Sequence, residues 1–254
     1  MTWCFINKHH VNNPFVSAIC ITEKRPHLLE RAVTCFQAQY YQNKELIILF
    51  LSDDIATAAY VRTIEDPSIK IMSIPAPMTL GERRNLAIRV SQGEYFCAWD
   101  DDDWYHPSRI SEQMNHIQRT NLPACTLSRI ILMNVVLEKA YLSFHRPWEG
   151  SLICARRTFD EGFVYGNYNR GEDSILVQAL LDQSLVAIHH NPVLYIYNYH
   201  GTNISGKDHW DNNIFQHGMP LGQEARDLAL SMLKNEDVIN LSNQLRPFVD
   251  ALIG

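Results

Sequence analysis

Apolar and amphipathic stretches alternate over the first hundred residues of the chain. Four short runs are mostly apolar, which predicts buried strands at 15–21, 45–51, 70–75 and 93–99. Between them, apolar residues recur at helical spacing in 26–36 and 81–91. Strands that alternate with amphipathic helices are typical of an open, mostly parallel α/β sheet. In such sheets ligands bind beyond the carboxyl ends of the strands.

The pattern changes after Pro107. A helix is expected over 108–120, and another begins after Gly171. The remaining apolar runs predict further strands at 126–137, 151–155 and 193–197. From Gly222 the chain is amphipathic and predicts a C-terminal helical tail. We place a soft boundary near residue 104, without a linker, within one domain.

Composition and charge exclude several classes of protein. The 254 residues carry a net charge of −6 with no basic block, which makes nucleic acid a poor candidate partner. No apolar run approaches the roughly 18 residues that span a bilayer. The start of the chain lacks the pattern of a signal peptide, and the 6 cysteines show no metal-ligand spacing. We therefore expect a cytoplasmic protein with reduced, buried cysteines.

Four consecutive aspartates, Asp100 to Asp103, directly follow the fourth predicted strand. Adjacent carboxylates repel one another unless a cation or solvent neutralises them. A solvated acidic turn is one interpretation. Trp99 and Trp104 flank the run and favour a half-buried turn instead. Because carboxylate oxygens suit Mg²⁺ or Mn²⁺, which bridge phosphate oxygens, the run predicts a site for a metal and a phosphate.

A series of motifs in the same order resembles glycosyltransferase family 2. They extend over roughly residues 15–205 and include Arg84-Asn85, the acidic run, Gly171-Glu172-Asp173 and His200-Gly201. The resemblance implies a GT-A (Rossmann-like) fold and transfer of a sugar from a nucleotide-diphosphate donor, with inversion at the anomeric carbon. It also implies Mn²⁺ or Mg²⁺, a UDP-sugar or a GDP-sugar as donor, and a glycan or lipid-linked sugar as acceptor. It leaves room for association with a membrane surface and does not indicate an oligomeric state.

With this resemblance, the chain divides into four parts. These are a polar lead-in (1–14), a nucleotide-sugar-binding half (15–103), an acceptor-binding and catalytic half (104–218) and a C-terminal helical segment (219–254). A Gly- and Asn-rich segment, 201–218, is interpreted as a flexible lid over the bound donor.

The resemblance also implies site residues. Asp102 would be the main metal ligand, with Asp100 and His200 beside it, and Asp173 would be the general base, with Glu172 orienting the acceptor. The donor would be bound by Thr22, Arg25, Arg84, Asp100 and Asp101. Other interpretations stay open: Arg84 as a surface arginine, His200 as a loop histidine, and the acidic pair as residues that favour a helix N-terminus.

The sequence departs from the family pattern after the second strand. Most members carry Asp-Asp-Gly-Ser there, and this chain has Ser52-Asp53-Asp54 a few residues late. Either Asp53 or Asp54 reads the nucleotide base after a small insertion, or base recognition differs. Lys24 adds a charge near the donor pocket or faces solvent.

Three other functions are alternatives to the glycosyltransferase. A catalytically inactive sugar-nucleotide-binding or assembly module would fit the altered motif after the second strand. A phosphohydrolase would need a downstream Thr and Lys pattern, and the aromatic residues after the acidic run do not fit it. A nucleotidyltransferase would need a Gly-rich loop after the first strand, where residues 22–26 contain no glycine.

Overall fold

The computed structural model describes residues 13–75, 77–234 and 237–253, so nearly all of the predicted lead-in lies outside the described residues. The strands in chain order are β1 (Val16–Ile21), β2 (Lys44–Leu51), β3 (Ile69–Ile74), β4 (Tyr95–Ala98), β5 (Trp104–Tyr105), β6 (Ala124–Leu127), β7 (Ile131–Asn134), β8 (Lys139–Leu142), β9 (Trp148–Ala155), β10 (Val186–His189), β11 (Tyr195–Tyr199) and β12 (Met219–Pro220). The helices are α1 (Pro26–Gln37), α2 (Ile55–Val61), α3 (Leu80–Val90), α4 (Arg109–Thr120), α5 (Arg156–Asp160), α6 (Glu172–Asp182), the single turn α7 (Lys207–His209), α8 (Gln223–Leu233) and α9 (Val238–Ile253).

The described strands form two sheets, of which the larger has the order β10-β6-β9-β4-β1-β2-β3. Strands β4, β1, β2 and β3 are parallel, whereas β9 runs antiparallel to both of its neighbours. Strand β1 is buried along its whole length and β2 everywhere except at its two ends, as expected where both faces of a parallel sheet are covered. The predicted α/β class and mostly parallel sheet are confirmed.

The smaller sheet has the order β12-β8-β7-β11-β5 and was not predicted. The strand expected over 126–137 is wrong as a single element, because β6 belongs to the larger sheet and β7 to the smaller one. At the crossing, Ser128 donates to His189 and Ser143 donates to Ile130 through their backbone amides. Both strands are buried, and the polar pair Ser128-Arg129 lies between them, where the chain passes from one sheet to the other.

The two sheets share one apolar core. One cluster of buried side chains includes Ile48 of β2, Trp104 of β5, Ile131 of β7 and Met232 of α8. The predicted tail is helical, and α8 and α9 pack on this cluster through buried residues such as Leu245. The five cysteines in the described ranges are buried, as expected, and none of them forms a disulfide. None of the described helices combines the length and the apolar character needed to cross a membrane.

Candidate active site

The acidic run forms the turn between β4 of the larger sheet and β5 of the smaller sheet. It lies on the wall of a cavity of about 350 Å³ at the carboxyl ends of β1 and β4. The cavity is closed on its other sides by α3, by the start of α6 and by residues 203–205 after β11. This is the edge of the sheet where the sequence predicted a ligand.

Asp100 is paired with Arg84 of α3. Nη2 of Arg84 lies 2.7 Å from Oδ1 of Asp100, and its Nε lies 3.5 Å from Oε1 of Glu172. Burial raises the pKa of Asp100, and the Arg84 guanidinium partly offsets that rise. The side chain of Arg84 is 8% exposed and packs 5.2 Å from the ring of Tyr165. Arg84 is therefore a cavity residue rather than a surface arginine.

Asp101 is held by the loop that follows β1. Its carboxylate accepts from Oγ1 of Thr22 at 2.7 Å and from Nη2 of Arg25 at 2.6 Å. Burial and the adjacent Asp102 raise the pKa of Asp101 to about 7. The structure thus brings together Thr22, Arg25 and Asp101, three of the predicted donor residues.

Asp102 lies next to His200, the histidine that was predicted as a metal ligand. Its Oδ2 lies 3.2 Å from Nε2 of His200, 3.0 Å from Nη1 of Arg25 and 3.3 Å from Nδ2 of Asn203. Burial would raise the pKa of Asp102, but the His200 hydrogen bond and the Arg25 charge hold it below its usual value. Nδ1 of His200 lies 3.0 Å from the hydroxyl of Thr202, which fixes the orientation of the ring.

The spacing of Asp102 and His200 fits two ligands of one divalent ion. Two neighbouring ligands of an octahedral ion at bond lengths of about 2.1 Å are about 3.0 Å apart, close to the separation of Oδ2 of Asp102 and Nε2 of His200. Within the described ranges, no group of three or more His, Cys, Asp or Glu side chains is arranged to hold a metal. Mg²⁺ is commonly bound by one or two carboxylates together with substrate phosphates, so two protein ligands suffice.

Glu172 and Asp173 open helix α6 after Gly171, whose φ of 71° is the left-handed conformation that glycine adopts without strain. Glu172 is 3% exposed, and burial raises its pKa while Arg84 opposes the rise. Asp173 is half-buried and lines the cavity. The helix N-terminus thus brings one carboxylate to Arg84 and a second to the cavity wall.

The sequence and these residues agree with one known family. The sequence profile described as Glycosyl transferase family 2 matches residues 17–174, more than half of the chain. The chain belongs to glycosyltransferase family 2. This membership favours an enzyme over the non-catalytic module that the sequence left open, and the match extends from β1 to the start of α6.

A curated relative of this glycosyltransferase is WcaA of Escherichia coli strain K12, whose name proposes a glycosyl transferase of colanic acid biosynthesis. The two are 35% identical over 113 residues, which are 42% of this chain and 39% of WcaA. The match therefore spans about two fifths of the length of that relative.

Solved structures show the same fold. A fragment of S. aureus TarS, residues 1–349, in complex with UDP-GlcNAc superposes with a TM-score of 0.62 at 12% identity, over 74% of this chain and 60% of that fragment. The mannosyltransferase PcManGT of Pyrobaculum calidifontis, in complex with GDP-Man and Mn²⁺, gives a TM-score of 0.59 at 13% identity. That match covers 94% of this chain and 73% of PcManGT. Together they confirm the GT-A architecture expected from the sequence.

The pair after β2 lies outside the cavity of this glycosyltransferase. Asp54 is 1% exposed and caps α2, with Oδ1 accepting from the backbone of Thr57 at 3.0 Å and Oδ2 from its hydroxyl at 2.6 Å. Oδ2 also accepts from the backbone of Lys24, whose side chain is exposed. Asp53 is exposed as well, and neither aspartate lines the cavity. Base recognition by either residue stays a prediction.

The structure adds cavity residues that sequence reasoning missed. Glu149, at the second position of β9, accepts from the hydroxyl of Ser174 at 3.2 Å and is paired with Arg146. Burial raises the pKa of Glu149. Arg83 of α3 also lines the cavity. No spacing rule identifies these residues, because their positions depend on contacts between elements far apart in the chain.

The segment predicted as a lid is divided in two by the structure. Residues 203–205 and His209 line the cavity. Trp210 is fully buried and packs 4.3 Å from Tyr197 between ring centroids, and Phe215 packs beside it. A buried indole thus anchors the middle of the segment in the core, while Asn213 and Ile214 beyond it also line the cavity. A flexible lid over 201–218 stays a prediction.

Proposed function

We propose that this glycosyltransferase moves a sugar from a nucleotide-diphosphate donor to an acceptor hydroxyl, with inversion, a divalent ion and Asp173 as general base. The observation that carries the proposal is that one cavity is lined both by Asp102, which is paired with His200, and by Asp173. The named ligands of similar structures, UDP-GlcNAc and GDP-Man, support a nucleotide-sugar donor.

The donor diphosphate would lie against the acidic turn. Asp102 and His200 would hold the ion, with Asp100 beside them, and a bound ion supplies positive charge that stabilises the departing diphosphate. Arg84 and Arg25 are already neutralised by aspartates, so they position those carboxylates and limit the repulsion among them. Preorganised charge of this kind needs little rearrangement when the donor binds.

The acceptor would enter from the side of α6. As its hydroxyl oxygen forms a bond to the anomeric carbon, the carboxylate of Asp173 takes the hydroxyl proton. The bond from that carbon to the phosphate oxygen breaks, and its electron pair leaves with the diphosphate. Attack and departure on opposite faces invert the configuration without a covalent enzyme intermediate. General base catalysis of this kind contributes about 10²- to 10⁴-fold.

Replacing the base tests the proposal. We expect Asp173→Asn to lower sugar transfer by about 10²- to 10⁴-fold, with little change in nucleotide affinity, because the amide keeps the shape and cannot accept the proton. Transfer is measured as UDP or GDP released from UDP-GlcNAc and GDP-mannose, and affinity by calorimetry. Asp182→Asn, at the exposed far end of the same helix, is the matched control and should behave as wild type. Full transfer in Asp173→Asn, or a product that retains the donor configuration, would contradict the proposal.

A second variant tests the metal site. Asp102→Asn should abolish the Mn²⁺-dependent part of UDP or GDP binding, because a neutral amide is a much weaker ligand for a hard cation. Circular dichroism checks that the variant is folded. An unchanged nucleotide affinity with Mn²⁺ present would show that the ion is held elsewhere or is not needed.

A further inference from the structure

A second arginine–carboxylate pair lines the cavity and has no part in the mechanism above. Nη1 of Arg83 lies 3.1 Å from Oε2 of Glu23. The side chain of Arg83 is 8% exposed, whereas that of Glu23 is 46% exposed. Nε of Arg83 is buried and has no hydrogen-bond partner among the described residues. Nε of Arg83 thus lacks an acceptor within the described ranges, and it lies beside a carboxylate that is nearly half exposed.

An ion pair formed for stability alone does not account for this arrangement. A pair with one partner nearly half exposed contributes little to folding. A buried N–H without a partner is unfavourable, and each one in a native structure needs an explanation. A ligand that accepts a hydrogen bond from Arg83 would provide that explanation.

The position of the pair identifies the part of the ligand it would meet. Strand β1 lies between β4 and β2, and Glu23 is the second residue after β1. The Arg84–Asp100 pair lies at the end of β4, so the two pairs are neighbours along the carboxyl edge of the sheet. With the diphosphate at the acidic turn and the acceptor at α6, the nucleoside extends from β4 toward β1 and β2. Its base then faces Glu23 and Arg83.

We propose that Glu23 and Arg83 recognise the base and that they select guanine over uracil. The pair offers a donor beside a carboxylate with two acceptor oxygens. Guanine presents O6 as an acceptor, followed by N1–H and the N2 amino group as donors. Uracil presents one N–H between two carbonyl oxygens, so one carboxylate oxygen would face an acceptor. Arginine also suits O6 and N7 of guanine in bidentate geometry.

This inference rests on the proposed function, because it assumes a nucleotide diphosphate at Asp102. It also names a different carboxylate from Asp53 or Asp54, the pair that the sequence pointed to. The carboxylate of Asp54 caps α2, and Asp53 is exposed and lies outside the cavity. Glu23 is the carboxylate between β1 and α1 that lines the cavity.

Calorimetry with free nucleotides and Mn²⁺ tests the proposal on the full chain. We expect GDP to bind about 10- to 100-fold more tightly than UDP, since a well-formed bidentate contact discriminates bases to about that extent. Inosine diphosphate lacks the 2-amino group and should bind with intermediate affinity. Glu23→Gln and Arg83→Met should each remove most of the preference for GDP and leave the affinity for UDP nearly unchanged. Glu65→Gln, an exposed glutamate outside the cavity, is the matched control and should keep the preference.

Several results would overturn the inference. Equal affinity for the two nucleotides, or tighter binding of UDP, contradicts the choice of guanine. An equal loss of both affinities in Glu23→Gln shows that the residue acts on the phosphates or on the loop rather than on the base. Loss of discrimination in Asp53→Asn, with Glu23→Gln unaffected, returns base recognition to the aspartate after β2. If neither nucleotide binds with Mn²⁺, the proposed function fails as well, whereas Mn²⁺-dependent binding that Asp102→Asn abolishes keeps it intact whichever base is preferred.

Discussion

Asp103 belongs to the same acidic run as three cavity residues, yet its carboxylate has structural partners. It is fully buried and accepts from the hydroxyl of Tyr195 and from the backbone of Asn198 at 2.9 Å. Burial and the nearby Asp102 raise the pKa of Asp103 well above its usual value. Both partners belong to β11, so this residue ties the acidic turn to the smaller sheet.

Arg109 of α4 packs against aromatic residues that flank the same turn. It is fully buried, and its guanidinium carbon lies 4.5 Å from the ring centroid of Tyr105 and 5.3 Å from that of Trp99. It donates to the carbonyls of Ala98 at 3.0 Å and Gly150 at 3.4 Å. A planar, weakly hydrated guanidinium can stack on aromatic rings and bind two carbonyls at once, which an ammonium group cannot do.

We therefore expect Arg109→Lys to lower the free energy of unfolding by about 2–3 kcal/mol, because buried carbonyls lose their donors. Urea unfolding followed by tryptophan fluorescence measures the change. Arg119→Lys, exposed in the last turn of the same helix, is the control and should differ from wild type by less than about 0.5 kcal/mol. Equal stabilities of the two variants would show that the stacking of Arg109 contributes nothing particular.

At the scale of elements, the close contact between α3 and the segment before α6 positions Arg83 and Arg84 of α3 beside the carboxylates of α6. Gly81 is where the two meet, since a Cβ added there would lie 1.7 Å from the carbonyl oxygen of Gly166. Its backbone amide also donates to the carbonyl of Tyr168 at 3.1 Å. This packing leaves no room for any side chain at residue 81.

Gly81→Ala should consequently force α3 away from that segment. We expect a loss of stability of about 1–3 kcal/mol, typical of overpacking, together with weaker nucleotide binding because Arg84 moves with the helix. Thermal unfolding and calorimetry with UDP and GDP report the two effects. Gly222→Ala, where an added Cβ meets nothing within 4 Å, serves as the reference. Wild-type values for both quantities in Gly81→Ala would refute this account of the contact.

The elements that could be predicted from the sequence are those with a strong local pattern. The four parallel strands have mostly apolar runs, and helices α1 and α4 have a clear amphipathic face, whereas α3 and α6 are marked by their N-caps, Thr79 and Gly171. Strands β5 and β12 are two residues long, and α2 is a seven-residue helix started by the Asp54 cap. Such short elements depend on distant pairing partners or on a single capping contact, so local pattern alone could not reveal them.

At the scale of the whole molecule, the soft boundary near residue 104 does not separate two cores. Strand β4 of the first half pairs with β9 of the second half, and one apolar cluster reaches from β2 to α9. We expect one cooperative unfolding transition, with far-UV circular dichroism and tryptophan fluorescence giving the same midpoint. Two separated transitions would indicate that the halves fold independently.

The candidate site was predictable to the extent that it follows strand and helix ends. The acidic run begins two residues after the end of β4, and Asp173 is the second residue of α6, after its N-cap Gly171, so motif and local structure coincide. Glu149 and Arg83 could not be found in this way, because they reach the cavity through the packing of β9 and α3. Asp54 belongs to a motif that predicted base recognition, yet in the structure its carboxylate caps α2.

The turn of residues 100–103 joins the two sheets, and its aspartates have different partners except for Arg25, which Asp101 and Asp102 share. If a residue were inserted in this turn during evolution, each aspartate after the insertion would shift by one position. Its carboxylate would then meet the partners of the neighbouring aspartate. The segments beside the cavity are fixed in the same way, because Asn203 donates to Asp102 and Gly166 packs against Gly81. We therefore expect a change of donor in this site to arise through substitutions rather than through insertions or deletions in the turn.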